Sequence, residues 1–284
     1  MVDYQHYQSI AYKDCGSIAV LLNLDTPTGE APAGGWPLVI FFHGGGWVVG
    51  DKNSWGIGRG VRNRLLPRGV AFCSAGYRHA EHGAHWPVPA ADCADCVRFF
   101  VRNAEKYHID PSRIVLAGHS AGAHLALLTG LTEGKFTDRW SIDDVPCKPI
   151  GTVTLATPAN FHMGDYGVDV LPSVRDCPRN LLGDELWADP AKWEVAEPLH
   201  YVKTGEAAHI RTLLVNGELD DLTPIGISRE FVELAQKNGY DSRLFAVPEC
   251  GHCLEIMNAG GAPSPNRWMA DDAVCAFLEE VFGL

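Results

Sequence analysis

Basic residues are scarce in this chain of 284 residues: 23 lysines and arginines face 35 aspartates and glutamates, a formal net charge of −12. So little positive charge argues against nucleic acid and against anionic membrane as partners, since both are bound through basic surface. Also missing is any apolar run of the roughly 20 residues that a membrane-spanning helix needs. The stretch from Met1 to Glu30 lacks the basic start and apolar core of a secretion signal, so a cytoplasmic protein is expected. Cysteine is present nine times, an odd number that does not suggest a complete disulfide framework. No internal repeat and no linker divides the chain, and a single domain over residues 1–284 is expected.

The residues that are present read as globular, with 46% hydrophobic and 20% charged. Short apolar runs predict strands near 7–12, 17–24, 38–42, 69–75, 114–117, 150–156, 212–216 and 243–247. Between them, patterns of helical period predict helices over 54–66, 89–107, from 123 onward, 225–238 and 267–282. In the second of these, Cys93, Val97, Phe100 and Ala104 form one core-facing stripe. Strands alternating with helices imply an α/β fold with a mostly parallel, eight-stranded sheet flanked by helices on both faces. Residues 157–208 break the alternation. Pro158, Pro172, Pro178, Pro190 and Pro198 interrupt them, and they read as an irregular, short cap or insertion. That cap is expected to line a shallow pocket with aromatics such as Phe161, Trp187 or Trp193.

The chemistry centres on Gly118-His-Ser-Ala-Gly122, which follows the apolar run 114–117 and opens the helix that begins at 123. Strand, G-x-S-x-G and helix together describe a nucleophile elbow, in which a strained, tight turn lifts the serine oxygen to a helix N-terminus. Ser120 is inert until a base takes its proton. In this arrangement the acid and then the histidine follow the serine in the chain. Only His252 lies downstream of the acidic pair Asp220-Asp221, just after the last predicted strand. Either aspartate follows the strand at 212–216, where the acid belongs. A carbonyl attacked by the serine becomes an oxyanion that needs fixed N–H donors, one of them from Ala121, immediately after the nucleophile. Three successive glycines at the end of the strand at 38–42, Gly44 to Gly46, let backbone approach a ligand closely and offer the second donor.

Two further groupings invite a metal. Cys93-Ala-Asp-Cys96 and Cys250-Gly-His-Cys253 have C-x-x-C spacing, which zinc favours. The first lies on a core-facing helix stripe and the second brackets the candidate base, so both read as small thiols. His79, His82 and His85, three residues apart, read as a loop on the cleft rim, with the alcohol side of a substrate placed near 79–86.

The sequence resembles the α/β-hydrolase superfamily, esterase/lipase group, close to the feruloyl/acetylxylan-esterase-like serine esterases. The resemblance rests on His43-Gly-Gly-Gly-Trp47, Tyr77-Arg78, Trp86-Pro-Val-Pro-Ala90, Ile109-Asp-Pro-Ser-Arg-Ile114, Gly118-His-Ser-Ala-Gly122 and Gly217-Glu-Leu-Asp220. It implies a Ser120–His252–Asp220 triad, because the family pattern G-x-x-D-x-x-(V/T)-P selects Asp220 over Asp221. It also implies an oxyanion hole from Gly45, Gly46 and Ala121, and no cofactor or metal. Trp47, His119, Trp86 and Trp187 are the candidate substrate contacts. The activity it implies is that of a serine carboxylesterase on a small-molecule ester, short-chain or with an aryl or sugar group. Self-association into a homo-oligomer is compatible with it. An arylformamidase would use the same machinery, but often carries a bulkier residue in place of the third glycine of His43-Gly-Gly-Gly-Trp47. A serine peptidase of this fold would usually carry a recognition domain for which the chain has no room. A non-catalytic binding protein would be expected to have lost part of the triad or the glycine loop.

Overall fold

The run at 38–42 lies within strand β3 (Trp36–Phe42), whose side chains divide between two hydrophobic clusters. Leu38, Ile40 and Phe42 enter one, and Val39 and Phe41 enter the other. A strand covered on both faces needs apolar residues at every position, which explains the absence of alternation. These features belong to a computed structural model that describes residues 4–54, 58–254 and 265–284.

Seven further strands join β3: β1 (Tyr4–Asp14), β2 (Ala19–Pro27), β4 (Ala71–Ala75), β5 (Ile109–His119), β6 (Gly151–Leu155), β7 (Arg211–Gly217) and β8 (Ser242–Val247). All eight form one sheet in the order β1-β2-β4-β3-β5-β6-β7-β8. β1 and β2 are antiparallel, β2 runs antiparallel to β4, and every pairing from β4 to β8 is parallel. The expected eight-stranded, mostly parallel sheet is therefore present, and the nucleophile turn follows the fifth strand.

Helices α1 (Arg59–Leu65) and α9 (Pro265–Phe282) cover one face, placing Val61, Leu65, Ala270, Val274 and Leu278 in the smaller cluster. Residues 55–57 of the helix expected over 54–66 lie outside the described residues. The other face carries α2 (Val88–Arg102), α3 (Ala104–Tyr107), α4 (Ala121–Leu131) and α8 (Ile225–Lys237). The single helix expected over 89–107 breaks at Asn103, whose side-chain amide donates to the Phe99 carbonyl. Cys93, Val97 and Phe100 of its stripe are buried; Ala104 is only partly so.

The segment 157–208 differs from its expected irregularity. It contains α5 (Pro172–Arg175), α6 (Pro178–Trp187), a 3-10 turn (Pro190–Ala196) and α7 (Pro198–Thr204). Each of these four elements begins on a proline. Proline at the first helical position has no amide whose loss matters, and its fixed φ suits the helix. The residues that argue for interruption in the sequence are helix starters in the fold.

Beneath β1, an ionic network joins the sheet edge to α2. Lys13 Nζ lies 2.9 Å from Asp92, 2.6 Å from Asp95 and 3.0 Å from Asp138. Arg78 grips Asp92 through two nitrogens, at 2.8 and 2.6 Å, and also pairs with Asp138. Burial opposes ionisation of Asp138, but the Arg78 and Lys13 contacts outweigh it and bring its pKa down to about 2.

Candidate active site

Ser120 sits between β5 and α4 with φ 53° and ψ −121°, a backbone conformation that costs an L-residue free energy and survives only when its surroundings enforce it. The enforcement is visible. The Ser120 amide donates to the Leu155 carbonyl at 2.9 Å, and α4 presses so tightly on β3 that a Cβ on Gly122 would stand 2.2 Å from the Phe42 carbonyl oxygen. Ala121 is the first residue of α4. Amides of a first helical turn have no acceptor within the helix and are free to face an anion.

Three loops at the C-terminal ends of β8, β7 and β3, on the same edge of the sheet as Ser120, bring the other groups to it. His252, in the turn after β8, places Nε2 2.9 Å from Ser120 Oγ. Its Nδ1 lies 3.1 and 3.0 Å from the two carboxylate oxygens of Asp220, in the turn after β7. Asp220 is buried and held by several donors. The amides of Leu222 and Thr223 reach Oδ1 at 3.0 and 2.8 Å, and the Thr223 hydroxyl donates to Oδ2 at 2.8 Å. Burial pushes the Asp220 pKa up, but the His252 contact and the Thr223 donors overcome it, and the carboxyl ends below the usual range. It is an anion at neutral pH. Asp221 is exposed and takes no part in these contacts.

The glycine loop after β3 closes the site from the other side. The Gly45 carbonyl accepts from the Val48 and Val49 amides, both at 3.1 Å, with Gly45 at φ +127°. Only glycine fits there, since a Cβ would meet the Val49 carbonyl oxygen at 2.0 Å. Behind the loop, the Tyr77 hydroxyl donates to the His43 carbonyl at 2.9 Å, and the two rings stack 4.3 Å apart. Burial lowers the His43 pKa to about 4, so this histidine is a neutral prop.

Ser120, His252, Gly45 and Gly46 border one cavity of about 570 Å³, together with Trp47 and His119. Its apolar walls come from Phe41, Val49, Pro158, Met163, Val174 and Leu222, and among the described residues no Asp, Glu, Lys or Arg borders it. Two expected substrate contacts are elsewhere. Trp86 packs on Phe136 with ring centres 4.4 Å apart, and Trp187 stacks on Trp193 at 4.3 Å. Phe161 and Trp193 are also buried away from the cavity; Phe161 and His124 receive Trp47 edge-on. Residues 79–86 do not form its rim either. The Ala80 amide donates to the Trp47 carbonyl at 3.0 Å and His85 Nδ1 to the Asn180 carbonyl at 2.8 Å, so this loop braces the glycine loop and α6 from behind.

Cys93 and Cys96 lie in the core of α2, and among the described residues no three His, Cys, Asp or Glu side chains are grouped to hold a metal. Sequence reasoning missed Met163, Val174 and Cys177 of the cavity wall, which carry no motif. It also missed the role of Thr223, although the (V/T)-P of the family pattern marks that position.

The BD-FAE family profile matches residues 23–234. The chain belongs to the BD-FAE family. The BD-FAE match takes in the glycine loop, Ser120 and Asp220 but ends before His252, which is placed beside Ser120 by the fold. The protein is 35% identical to esterase LipC of Mycobacterium tuberculosis, across 98% of this chain and 66% of that one. It is 37% identical to a probable isoprenylcysteine alpha-carbonyl methylesterase of Oryza sativa, across 74% of this chain and 49% of the relative. It thus spans only about half to two thirds of these relatives. Among solved structures, an esterase of Thermogutta terrifontis with bound propionate superposes with a TM-score of 0.77 at 21% identity, covering 99% of this BD-FAE chain and 94% of the other. A truncated carbohydrate esterase from gut microbiota superposes with a TM-score of 0.77 at 20% identity, covering 98% and 96%. With the sheet order, these likenesses establish the α/β-hydrolase fold.

Proposed function

We propose that this protein hydrolyses small, uncharged carboxylic esters through an acyl-enzyme on Ser120. The observation that carries the reading is the continuous path from Ser120 Oγ to His252 Nε2, 2.9 Å, and from His252 Nδ1 to Asp220, 3.0 Å, opening on a cavity that no Asp, Glu, Lys or Arg borders among the described residues. Ser120 Oγ attacks the ester carbonyl as its proton passes to His252 Nε2. The carbonyl oxygen becomes an anion, held by the Ala121 amide and those of Gly45 and Gly46. The C–O bond to the alcohol breaks and His252 gives that alcohol its proton. Water, deprotonated by His252, then attacks the acyl-enzyme, and Ser120 recovers its proton as the acid leaves. Asp220, kept ionised, orients His252 and stabilises its imidazolium.

The kinship with proteins named esterases supports the reaction class, and the cavity supports the substrate class. A wall of Phe41, Trp47, Met163, Val174 and Leu222 suits alkyl and aryl groups, whereas the many hydroxyls of a sugar would find few partners. Each acyl methylene gains at most about 0.8 kcal/mol, and only where it is buried. Met163, Val174 and Cys177 wall the cavity, so chains that outgrow it gain nothing. Highest kcat/KM is expected on acetyl to butyryl esters, declining beyond about six carbons.

A p-nitrophenyl ester series from C2 to C16, run under monodisperse conditions beside acetylated sugars and N-formylkynurenine, tests this. A fluorophosphonate should label Ser120 alone. A maximum at C10 or longer overturns the acyl range, preference for the sugar or formyl substrate overturns the substrate class, and labelling elsewhere overturns the mechanism.

A further inference from the structure

His119, the residue before the nucleophile, stands outside the path from Ser120 to Asp220. Its Nε2 lies 3.0 Å from the backbone carbonyl oxygen of His252, and the two rings are 5.0 Å apart between centres. A carbonyl oxygen only accepts, so Nε2 must carry the proton and donate it. Burial and the neighbouring His252 push the His119 pKa down, which keeps the ring neutral with one N–H to give. Room for this ring is provided by Gly44. A Cβ there would stand 2.9 Å from His119 Nδ1 and 3.3 Å from the Ser120 Cβ.

The turn that carries His252 belongs to no helix or strand. On its β7 side the Leu219 amide donates to the Cys250 carbonyl at 2.9 Å, and within the turn the Leu254 amide donates to Gly251 at 3.1 Å. The His119 bond fastens it at the very residue whose side chain must stay within hydrogen-bond reach of Ser120. His119 itself is fixed at the end of β5, one residue from Ser120. Nucleophile and base are therefore referred to the same strand end. Misplacing a reacting group by about 1 Å can cost on the order of 100-fold in rate.

We propose that His119 is a positioning residue: by donating to the His252 carbonyl it ties the turn of the base to the nucleophile strand and so sets the Ser120–His252 distance. This rests on the ester-hydrolase reading for its kinetic consequences but not for its structural one, and the test separates the two. His119→Leu removes the donor, and His119→Gln restores an N–H of similar reach. On p-nitrophenyl butyrate, His119→Leu should lower kcat about 10- to 100-fold with KM within about threefold, and His119→Gln should recover most of the loss. Should His119→Leu fail to fold, His119→Ala removes the same donor without adding branched bulk. A KM that rises in both variants with kcat unchanged would make His119 a substrate contact, and unchanged kinetics in His119→Leu would leave it no role; either overturns the proposal. Amide hydrogen exchange over 250–254 reads the tie without substrate. It should quicken in His119→Leu and return to wild type in His119→Gln. Exchange that does not change in His119→Leu overturns the tie even if the wild type proves to hydrolyse no ester. An inactive, unlabelled wild type with the expected exchange pattern overturns only the ester reading.

Discussion

Strain at one residue organises the site. Ser120 is held at φ 53° so that its oxygen clears the backbone and meets His252. Ser120→Ala should fold as the wild type does and lose about 10⁴- to 10⁶-fold in kcat, because the members of such a triad act as a unit. Residual activity above that range would mean another nucleophile. The neighbouring aspartates make a sharper comparison. Asp220 is buried, accepts two backbone amides and the Thr223 hydroxyl, and faces His252, whereas Asp221 is exposed. Asp220→Asn should cost about 10²- to 10⁴-fold in kcat and Asp221→Asn less than about tenfold. Reversed costs in steady-state assays would move the acid by one residue. Spacing alone left the pair undivided, and the family pattern chose between them. The cause is physical: Thr223, three residues on, closes a turn whose donors converge on the first aspartate and not on the second.

At the scale of elements, helices beginning on prolines show how one residue type can mislead. Pro172, Pro178, Pro190 and Pro198 read as breaks, yet each starts a turn of helix, because proline disrupts a helix interior and not its first position. In three of the four the residues that follow bury apolar side chains, Leu181 and Leu182 in α6, Trp193 and Ala196 in the 3-10 turn, and Leu199 and Val202 in α7, and the proline alone does not show that packing. The packing of α4 on β3 gives a prediction of its own. The Cβ introduced by Gly122→Ala would meet two carbonyl oxygens, of Phe42 and His43, at 2.2 and 2.3 Å, and backbone cannot step aside as a side chain can. The variant should lose about 3 kcal/mol or more in denaturant unfolding. A loss below about 1 kcal/mol would mean that α4 rides more loosely than its contacts indicate.

For the whole molecule, buried neutral histidines set the acid limit. Burial brings both His43 and His124 to about 4, well under the ordinary imidazole value. In the unfolded chain each titrates near 6.5, so between about pH 6.5 and 4 the unfolded state binds more protons. Folding stability should therefore be complete above about pH 6.5 and fall as the pH drops through this window, by at most about 1.4 kcal/mol per unit for each of these histidines, and His119, whose pKa burial also lowers, adds to the fall. Carboxylates with lowered pKa values, Asp220 and Asp138 among them, add their loss only below this window. Denaturant unfolding at intervals from pH 7 to 5 should show the decline, and His124→Gln should reduce its slope. A stability that is flat across that range would contradict the burial of these rings.

Some of this protein was decided locally and could be read in one dimension. Apolar runs of strand length, the glycines flanking Ser120 and the glycine loop after β3 depend on near neighbours, and they made the sheet and its eight strands legible; that Ser120, Asp220 and His252 stand within hydrogen-bond reach of one another is a matter of the folded chain. What surrounds the substrate was not legible. Trp86 and Trp187 have the chemistry of a pocket wall but pack on Phe136 and Trp193, while Met163, Val174 and Cys177, which carry no motif, reach the cavity. The ionic network of Lys13, Arg78, Asp92, Asp95 and Asp138 was likewise hidden, since its members are scattered from β1 to the loop after α4. Motifs mark where backbone geometry leaves one residue type no substitute. A cavity wall or a buried ion pair needs only volume or charge at a point in space, which many residues can supply, and only the folded chain determines which of them arrives there.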